Sequence, residues 1–268
     1  MPLRHECHEV GKTIEGLPLL RDYQLPQDEV HVWRIALDWS PERVQAMNAV
    51  LSLDERQKAD RFHFDQDRTR HVVGRGVLRS ILARCMKTEA ERLHFEYNAF
   101  GKPRLAPRLS DGLVEPFQFN VSHSGDLVLI ALTMGRAVGI DVEKMRTKLD
   151  VERIAASYFS PLERRTLHSL PAHLRRDAFF DCWTRKEAYI KAVGDGLSLP
   201  LDEFDVCFLP GQEPGLLATR PHPAEARRWV FRALDLGPDY KAAIAVEGGG
   251  WHLRTWDWPT SDDCLMGC

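Results

Sequence analysis

Two short stretches about forty residues apart concentrate the chemistry of this chain: Val138-Gly139-Ile140-Asp141-Val142-Glu143 and Trp183-Thr184-Arg185-Lys186-Glu187-Ala188-Tyr189-Ile190-Lys191. The first alternates as a strand, so Val138, Ile140 and Val142 share one face and Asp141 and Glu143 the other. The second reads as a helix on which Trp183, Glu187 and Lys191 follow at i, i+4 and i+8 along one stripe. If that stripe faces the strand's acids, three carboxylates and a lysine converge. Hard oxygen ligands beside a cation suit Mg²⁺ holding a phosphate-bearing substrate, since that ion binds through one or two carboxylates, phosphate oxygens and water. Taken singly, each feature has a plainer reading. An Asp-x-Glu on a strand is commonly a solvated face, and Lys191 one turn beyond Glu187 could be its surface ion-pair partner.

A second constellation lies upstream. Gly101-Lys102-Pro103-Arg104 is a tight turn with two cations, and Asn120-Val121-Ser122-His123-Ser124-Gly125 ends a strand with hydroxyls and an imidazole at its tip. Such a tip can present donors to an anion. Between Arg56 and Arg79 there are seven Lys/Arg against three Asp, among them Lys58 and Arg70. A basic helix is most often a solvated face. Spread over one lobe, though, these groups suit a ligand with several phosphates. The chain has no Walker P-loop, Gly-x-Gly-x-x-Gly, His-Glu-x-x-His or Gly-x-Ser-x-Gly pattern.

The elements that must position these groups repeat. A strand at 30–37 precedes a helix opened by Ser40-Pro41 and a short helix opened by the capping box Ser52-Leu53-Asp54-Glu55. A long amphipathic helix over 68–86 follows, then strands at 93–97, 117–122 and 127–133. After the acidic strand the order recurs. A capping box at Ser160-Pro161-Leu162-Glu163 opens a short helix, a long helix spans 175–193 to the stop Gly194-Asp195-Gly196, and strands come at 203–208, 228–236 and 240–246. The expected fold is α+β: two similar lobes, each a long helix on a small antiparallel sheet, related by a pseudo-twofold. The lobes are 1–136 and 137–268, with an N-terminal extension to about residue 27 and one further strand in the tail.

At 268 residues, 44% hydrophobic and 28% charged, the composition is that of a globular protein. The longest apolar run, Leu127-Val128-Leu129-Ile130-Ala131-Leu132, is too short to span a bilayer. No secretory signal is visible at the N-terminus, and the six cysteines show neither metal-finger nor disulfide-ladder spacing, so a cytoplasmic location is expected. Cys264 and Cys268 are given no role. A net charge of −3 argues against a nucleic-acid binder.

Gly139-Ile140-Asp141-x-Glu143, followed by Trp183-Thr184-x-Lys186-Glu187-Ala188-x-x-Lys191, resembles the paired signature of 4'-phosphopantetheinyl transferases. Gly101-Lys102-Pro103, Phe119-Asn120-Val121-Ser122-His123-Ser124-Gly125 and Gly196-Leu197-Ser198-Leu199-Pro200-Leu201 resemble further blocks of the surfactin-synthetase-type branch, in order, over about residues 51–246. The resemblance implies a two-lobed monomer that moves the phosphopantetheine arm of coenzyme A onto a serine of acyl or peptidyl carrier proteins, with Mg²⁺, releasing 3',5'-ADP. It implies that Asp141, Glu143 and Glu187 coordinate the metal with the coenzyme A diphosphate. Glu187 takes the serine proton directly or through water, Lys191 neutralises the diphosphate, and Lys186 supports phosphate binding. Lys58, Arg70 and His123 match the holders of the 3'-phosphate; Ser122 and the turn Gly101, Lys102, Pro103 and Arg104 match those around the adenosine. Where the branch places a further lysine a turn before Lys58, this chain has Glu55, with Arg56 beside it as a substitute. The acidic carrier is expected near Lys144-Met145-Arg146-Thr147-Lys148 and the segment 155–159. Two rival readings remain: a metal-dependent hydrolase using the same acids on water, and a non-catalytic coenzyme A or carrier-binding module.

Overall fold

The computed structural model describes residues 23–106, 116–194, 199–220 and 222–259. The extension up to residue 22, the Gly196-Leu197-Ser198 part of the third block, and Cys264 and Cys268 lie outside the described residues. The first half runs β1 (Glu29–Ala36), α1 (Pro41–Ala49), α2 (Leu53–Ala59), α3 (Asp65–Cys85), β2 (Phe95–Tyr97), β3 (Pro103–Leu105), β4 (Phe117–Ser124) and β5 (Leu127–Met134). The second runs β6 (Val138–Lys144), α4 (Val151–Tyr158), α5 (Pro161–Ser169), α6 (Ala172–Val193), β7 (Phe204–Cys207), β8 (Gly215–Thr219), β9 (Trp229–Leu234), β10 (Tyr240–Glu247) and β11 (His252–Asp257). The α+β class stands.

Each half uses the same local device. The capping boxes open α2 and α5, with the Ser52 N–H donating to Glu55 over 3.1 Å and the Ser160 N–H to Glu163 over 2.9 Å. Both glutamates are buried and reach on to the long helix of their lobe: Glu55 pairs with Arg75 at 3.0 Å and Arg79 at 2.5 Å, and Glu163 with Lys186 at 2.8 Å. A cap thus doubles as the counter-charge for a buried cation, as burial of a charge requires. Helix α6 stops at Gly194, whose φ of +86° suits glycine at a left-handed cap.

The sheets follow from alternation. Val128, Ile130 and Leu132 of β5 meet Val73, Val77 and Ile81 of α3 in the first lobe's core. In the second, Phe179, Cys182 and Tyr189 of α6 pack with Phe204, Phe231 and Ala243. The opposite faces meet between the sheets, where Val30, Val32, Leu129 and Ala131 lie against Val138, Ile140, Val142 and Ile244.

Three features differ from the sequence reading. The larger sheet is ordered β11-β1-β5-β4, so the tail strand crosses back and pairs in parallel with β1, from Glu29 opposite His252 to Arg34 opposite Asp257. Residues 151–158, to which the sequence reading assigned no element, form α4, capped by Asp150, which accepts from the Arg153 N–H at 3.1 Å. Within 155–159, Ala155 and Phe159 are core residues and Tyr158 alone is an exposed large apolar group, with its ring 5.8 Å from that of Trp183. Among the described residues, no helix is long and apolar enough to cross a membrane.

Candidate active site

Strand β6 and helix α6 meet at a glycine. A Cβ on Gly139 would lie 2.1 Å from the Ala188 carbonyl oxygen and 2.3 Å from the Ala192 amide nitrogen, so only glycine admits this crossing. The close approach sets Asp141 and Glu143 beside Glu187 and Lys191, as the strand and helix periodicities require.

The other edge of β6 belongs to the first lobe. On one edge β6 pairs with β10 through its backbone. On the other, side chains of β4 do the bonding: Asn120 Oδ1 accepts from the Ile140 N–H at 2.9 Å, Ser122 Oγ from the Val142 N–H at 3.3 Å, and Ser124 Oγ from the Lys144 N–H at 3.0 Å. Lys102 completes the row. Its ammonium donates to the carbonyls of Val138 at 3.1 Å, Lys191 at 2.6 Å and Ala192 at 3.1 Å, joining the first-lobe turn to both β6 and the end of α6. Burial holds that ammonium down to about 8.

Asp141 is buried, and its Oδ1 accepts from Lys191 Nζ at 2.6 Å and Ser122 Oγ at 3.0 Å. Lys191 also donates to Ser122 Oγ at 3.1 Å. The second oxygen, Asp141 Oδ2, is buried without a partner. Glu143 accepts from Ser124 Oγ at 2.9 Å. Burial raises the Asp141 carboxyl against the pull of Lys191. Burial and then Asp141 raise Glu143, and burial, Asp141 and Glu143 together raise Glu187. The three acids therefore sense one another, and the cluster is short of positive charge. Among the described residues, no group of three or more His, Cys, Asp or Glu forms a metal cage by itself. An unpartnered buried carboxylate oxygen flanked by two further acids fits a hard cation that completes its shell with phosphate oxygens and water, as Mg²⁺ does.

His123 stands at the exposed rim, its ring held below the usual imidazole value by desolvation and then by Lys191 and Arg70. Arg70 donates to the Gly125 carbonyl at 2.9 Å and to Asp67 at 2.7 Å. Asp141, Glu143, Glu187, Lys191, Ser122, His123 and Arg70 are thus brought to one end of the seam. Lys58 and Arg56 stand exposed on α2, while Arg104 pairs with Glu96 across the β2–β3 hairpin at 2.8 Å. Gly101, at φ +82°, forms the turn before Pro103 opens β3.

Lys186 is a correction. It is fully buried on another face of α6, donating to the Leu201 and Phe204 carbonyls at 2.7 Å each and pairing with Glu163. A lysine so enclosed does not bind phosphate. The position is one residue before Glu187, and a helix turns about 100° per residue, so the two cannot share a face. Glu55, likewise, is the buried partner of Arg75 and Arg79 rather than part of a ligand surface. The site residue that sequence reasoning passed over is Ser124. Its signal was the alternation of Asn120, Ser122 and Ser124, which places three polar side chains on one strand face.

A family model described as the 4'-phosphopantetheinyl transferase superfamily matches residues 137–245, and one described as 4'-phosphopantetheinyl transferase, N-terminal, matches 37–135. The junction of the two falls in the turn between β5 and β6. Among curated proteins, the chain is 41% identical to the 4'-phosphopantetheinyl transferase HetI of Nostoc sp., over 90% of this chain and 97% of that protein. It is 35% identical to the 4'-phosphopantetheinyl transferase Sfp of Bacillus subtilis, over 77% of this chain and 87% of that protein. A human relative, L-aminoadipate-semialdehyde dehydrogenase-phosphopantetheinyl transferase, is 28% identical over 84% of this chain and 76% of its own length.

Proposed function

The chain belongs to the 4'-phosphopantetheinyl transferase family, and from that premise we propose how its residues carry out the transfer and on what carriers. The enzyme moves 4'-phosphopantetheine from coenzyme A to a carrier protein serine. In our reading the carriers are acyl and peptidyl carrier domains of polyketide and peptide synthetases, and the protein works as a cytoplasmic monomer. The serine oxygen forms a bond to the pantetheine-side phosphorus, the bond from that phosphorus to the bridging oxygen breaks, and 3',5'-ADP departs. The observation that carries the assignment of residues is the junction of Asp141, Glu143, Glu187 and Lys191, with Asp141 Oδ2 buried and unpartnered.

Asp141, Glu143 and Glu187 would hold Mg²⁺. When bound, the ion supplies charge neutralisation and alignment for the diphosphate. Glu187, to which no described residue donates a hydrogen bond, receives the serine proton, directly or through water. Lys191 faces the charge that grows on the bridging oxygen as the 5'-phosphate of 3',5'-ADP departs, the type of preorganised electrostatic contribution that dominates phosphoryl transfer. Arg70, His123 and Lys58 grip the 3'-phosphate end from the first lobe, with Arg56 assisting in place of the lysine that Glu55 replaces. Ser122, Gly101, Pro103 and Arg104 border the adenosine. Lys102 belongs to that border through its turn, its ammonium already being engaged with backbone carbonyls. The exposed Arg146 and Lys148, with Tyr158, face an acidic carrier.

Incubation of the protein with coenzyme A and apo carriers of several types, read by intact mass, tests the reading. A mass gain on the carrier, lost in Glu187→Ala while coenzyme A binding survives, is expected. Coenzyme A consumed with no gain on the carrier would mean hydrolysis, and unchanged behaviour of Glu187→Ala would remove that residue from the reaction. Charge reversal at Arg146 and Lys148 should raise KM for carrier and leave that for coenzyme A unchanged.

A further inference from the structure

The edge of β6 that carries the acids is bonded by side chains of the opposite lobe at every second residue. Two of these rungs have a second function. Ser122 Oγ accepts from the Val142 N–H and donates to Asp141; Ser124 Oγ accepts from the Lys144 N–H and donates to Glu143. The two serines lie on one face of β4, two residues apart, and their carboxylate partners lie two residues apart on β6. The geometry therefore repeats with the period of the strand. The third rung, Asn120, accepts from the Ile140 N–H and has no acid to orient, because Gly139 occupies the equivalent place.

A serine hydroxyl has one proton to donate, and both Ser122 and Ser124 direct it at a carboxylate. Ser124 is largely buried, so its rotamer is set by the strand around it. The backbone bond it accepts fixes the oxygen, which leaves the proton a single direction, toward Glu143 Oε2 at 2.9 Å. Glu143 is half-buried with a flexible side chain. Among the described residues Ser124 is the group that hydrogen-bonds it.

We propose that Ser124 is a positioning residue: reaching across the seam from the first lobe, it fixes the carboxylate of Glu143 so that the remaining oxygen faces a divalent cation shared with Asp141 and Glu187. The inference rests on the proposed role of those three acids. It has a consequence for how the site is assembled, since the lobe that grips the nucleotide end also orients a metal ligand of the other lobe. Partners that orient metal ligands typically change metal affinity by about 10–100-fold when removed.

The test is direct Mn²⁺ binding to the full chain in the presence of coenzyme A, read from the loss of the free Mn²⁺ electron paramagnetic resonance signal. Four variants accompany the wild type: Ser124→Ala, Ser124→Thr, Asn120→Ala and Glu143→Gln. Ser124→Ala should weaken Mn²⁺ binding by about tenfold or more, and Ser124→Thr, which keeps the hydroxyl, should stay within about twofold of wild type. Asn120→Ala removes a rung without an acid; it should lower the melting temperature yet leave Mn²⁺ affinity close to wild type. Equal weakening in Asn120→Ala and Ser124→Ala would overturn the proposal, because the effect would then belong to the seam in general. So would an unchanged Ser124→Ala beside a weakened Glu143→Gln. Wild-type protein that binds no Mn²⁺, or a Glu143→Gln that binds it normally, would overturn the metal reading itself and this inference with it. If Ser124→Ala does not fold, Ser124→Cys, with its weaker donor, takes its place and should fall between wild type and tenfold weaker.

Discussion

Helix α6 carries two lysines five residues apart, each beside a buried carboxylate, and they are opposites. Lys186 is enclosed by Glu163, two carbonyl oxygens and the face of Phe204, whose ring centre is 4.1 Å from its nitrogen. Every valence of that ammonium is answered from within the second lobe. Lys191 meets Asp141 within its own lobe and Ser122 across the seam, while the far oxygen of Asp141 is left without a donor. A completed pair holds a fold together; a pair with a buried oxygen to spare is shaped for something that arrives. Membership of one motif does not tell the two apart; their helical spacing from Glu187 does, Lys191 sharing its face and Lys186 not.

The contrast is broken most severely by removing the enclosed lysine. Lys186→Met strands Glu163 in the core and should cost about 3–5 kcal/mol of stability, measured by chemical denaturation, with turnover per folded molecule near wild type. Lys191→Met should do the reverse. It should slow transfer by about 10²–10³-fold in a carrier-modification assay. The melting temperature should drop far less than in Lys186→Met, since Lys191 is partly exposed where Lys186 is enclosed, and burial pushes the Asp141 carboxyl up, toward the neutral form that needs no cation. If Lys191→Met unfolds and Lys186→Met does not, the comparison is inverted.

Gly139→Ala sharpens it by pushing the two elements apart. The added methyl meets the backbone of α6, and accommodating it should cost about 1–3 kcal/mol or more and reduce turnover together with stability. The smallest effect is expected at Lys102. Its ammonium is held down to about 8 against an ordinary 10.5. Between those values the unfolded chain binds more protons than the fold, so stability rises with pH across that window by the contribution of this group. Lys102→Met should flatten that rise in denaturation curves taken from pH 7.5 to 10.5; an unaltered slope would show that the ammonium is not held down by burial.

Periodicity made much of this legible. The spacing of Asp141 and Glu143, and of Glu187 and Lys191, placed those four groups correctly because strand and helix periods are fixed by backbone geometry. Both capping boxes were readable for the same local reason. Lys186 was misjudged because its motif neighbours Glu187 and Lys191 border the acidic cluster while its own direction, one residue before Glu187, points into the core. The parallel pairing of β11 with β1 was not visible, since a contact between residues 29 and 252 leaves no local signature. Nor was the second function of the capping glutamates, which depends on where Arg79 and Lys186 pass in three dimensions. The seam rungs were half visible: the alternation of Asn120, Ser122 and Ser124 could be read, but not the edge it would meet.

The return of β11 to the first sheet also bears on how the chain comes to be folded as it is made. A ribosome delivers β1 more than two hundred residues before the strand that lies beside it. Until then β1 has β5 on one side and an uncovered row of backbone donors and acceptors on the other, a template for pairing with another chain. The nascent first lobe therefore waits, edge exposed, through synthesis of the second, and closure of that edge is among the last events of folding. Shortening the chain before His252 should accordingly show up first as aggregation of the nascent protein, ahead of any defect in its chemistry.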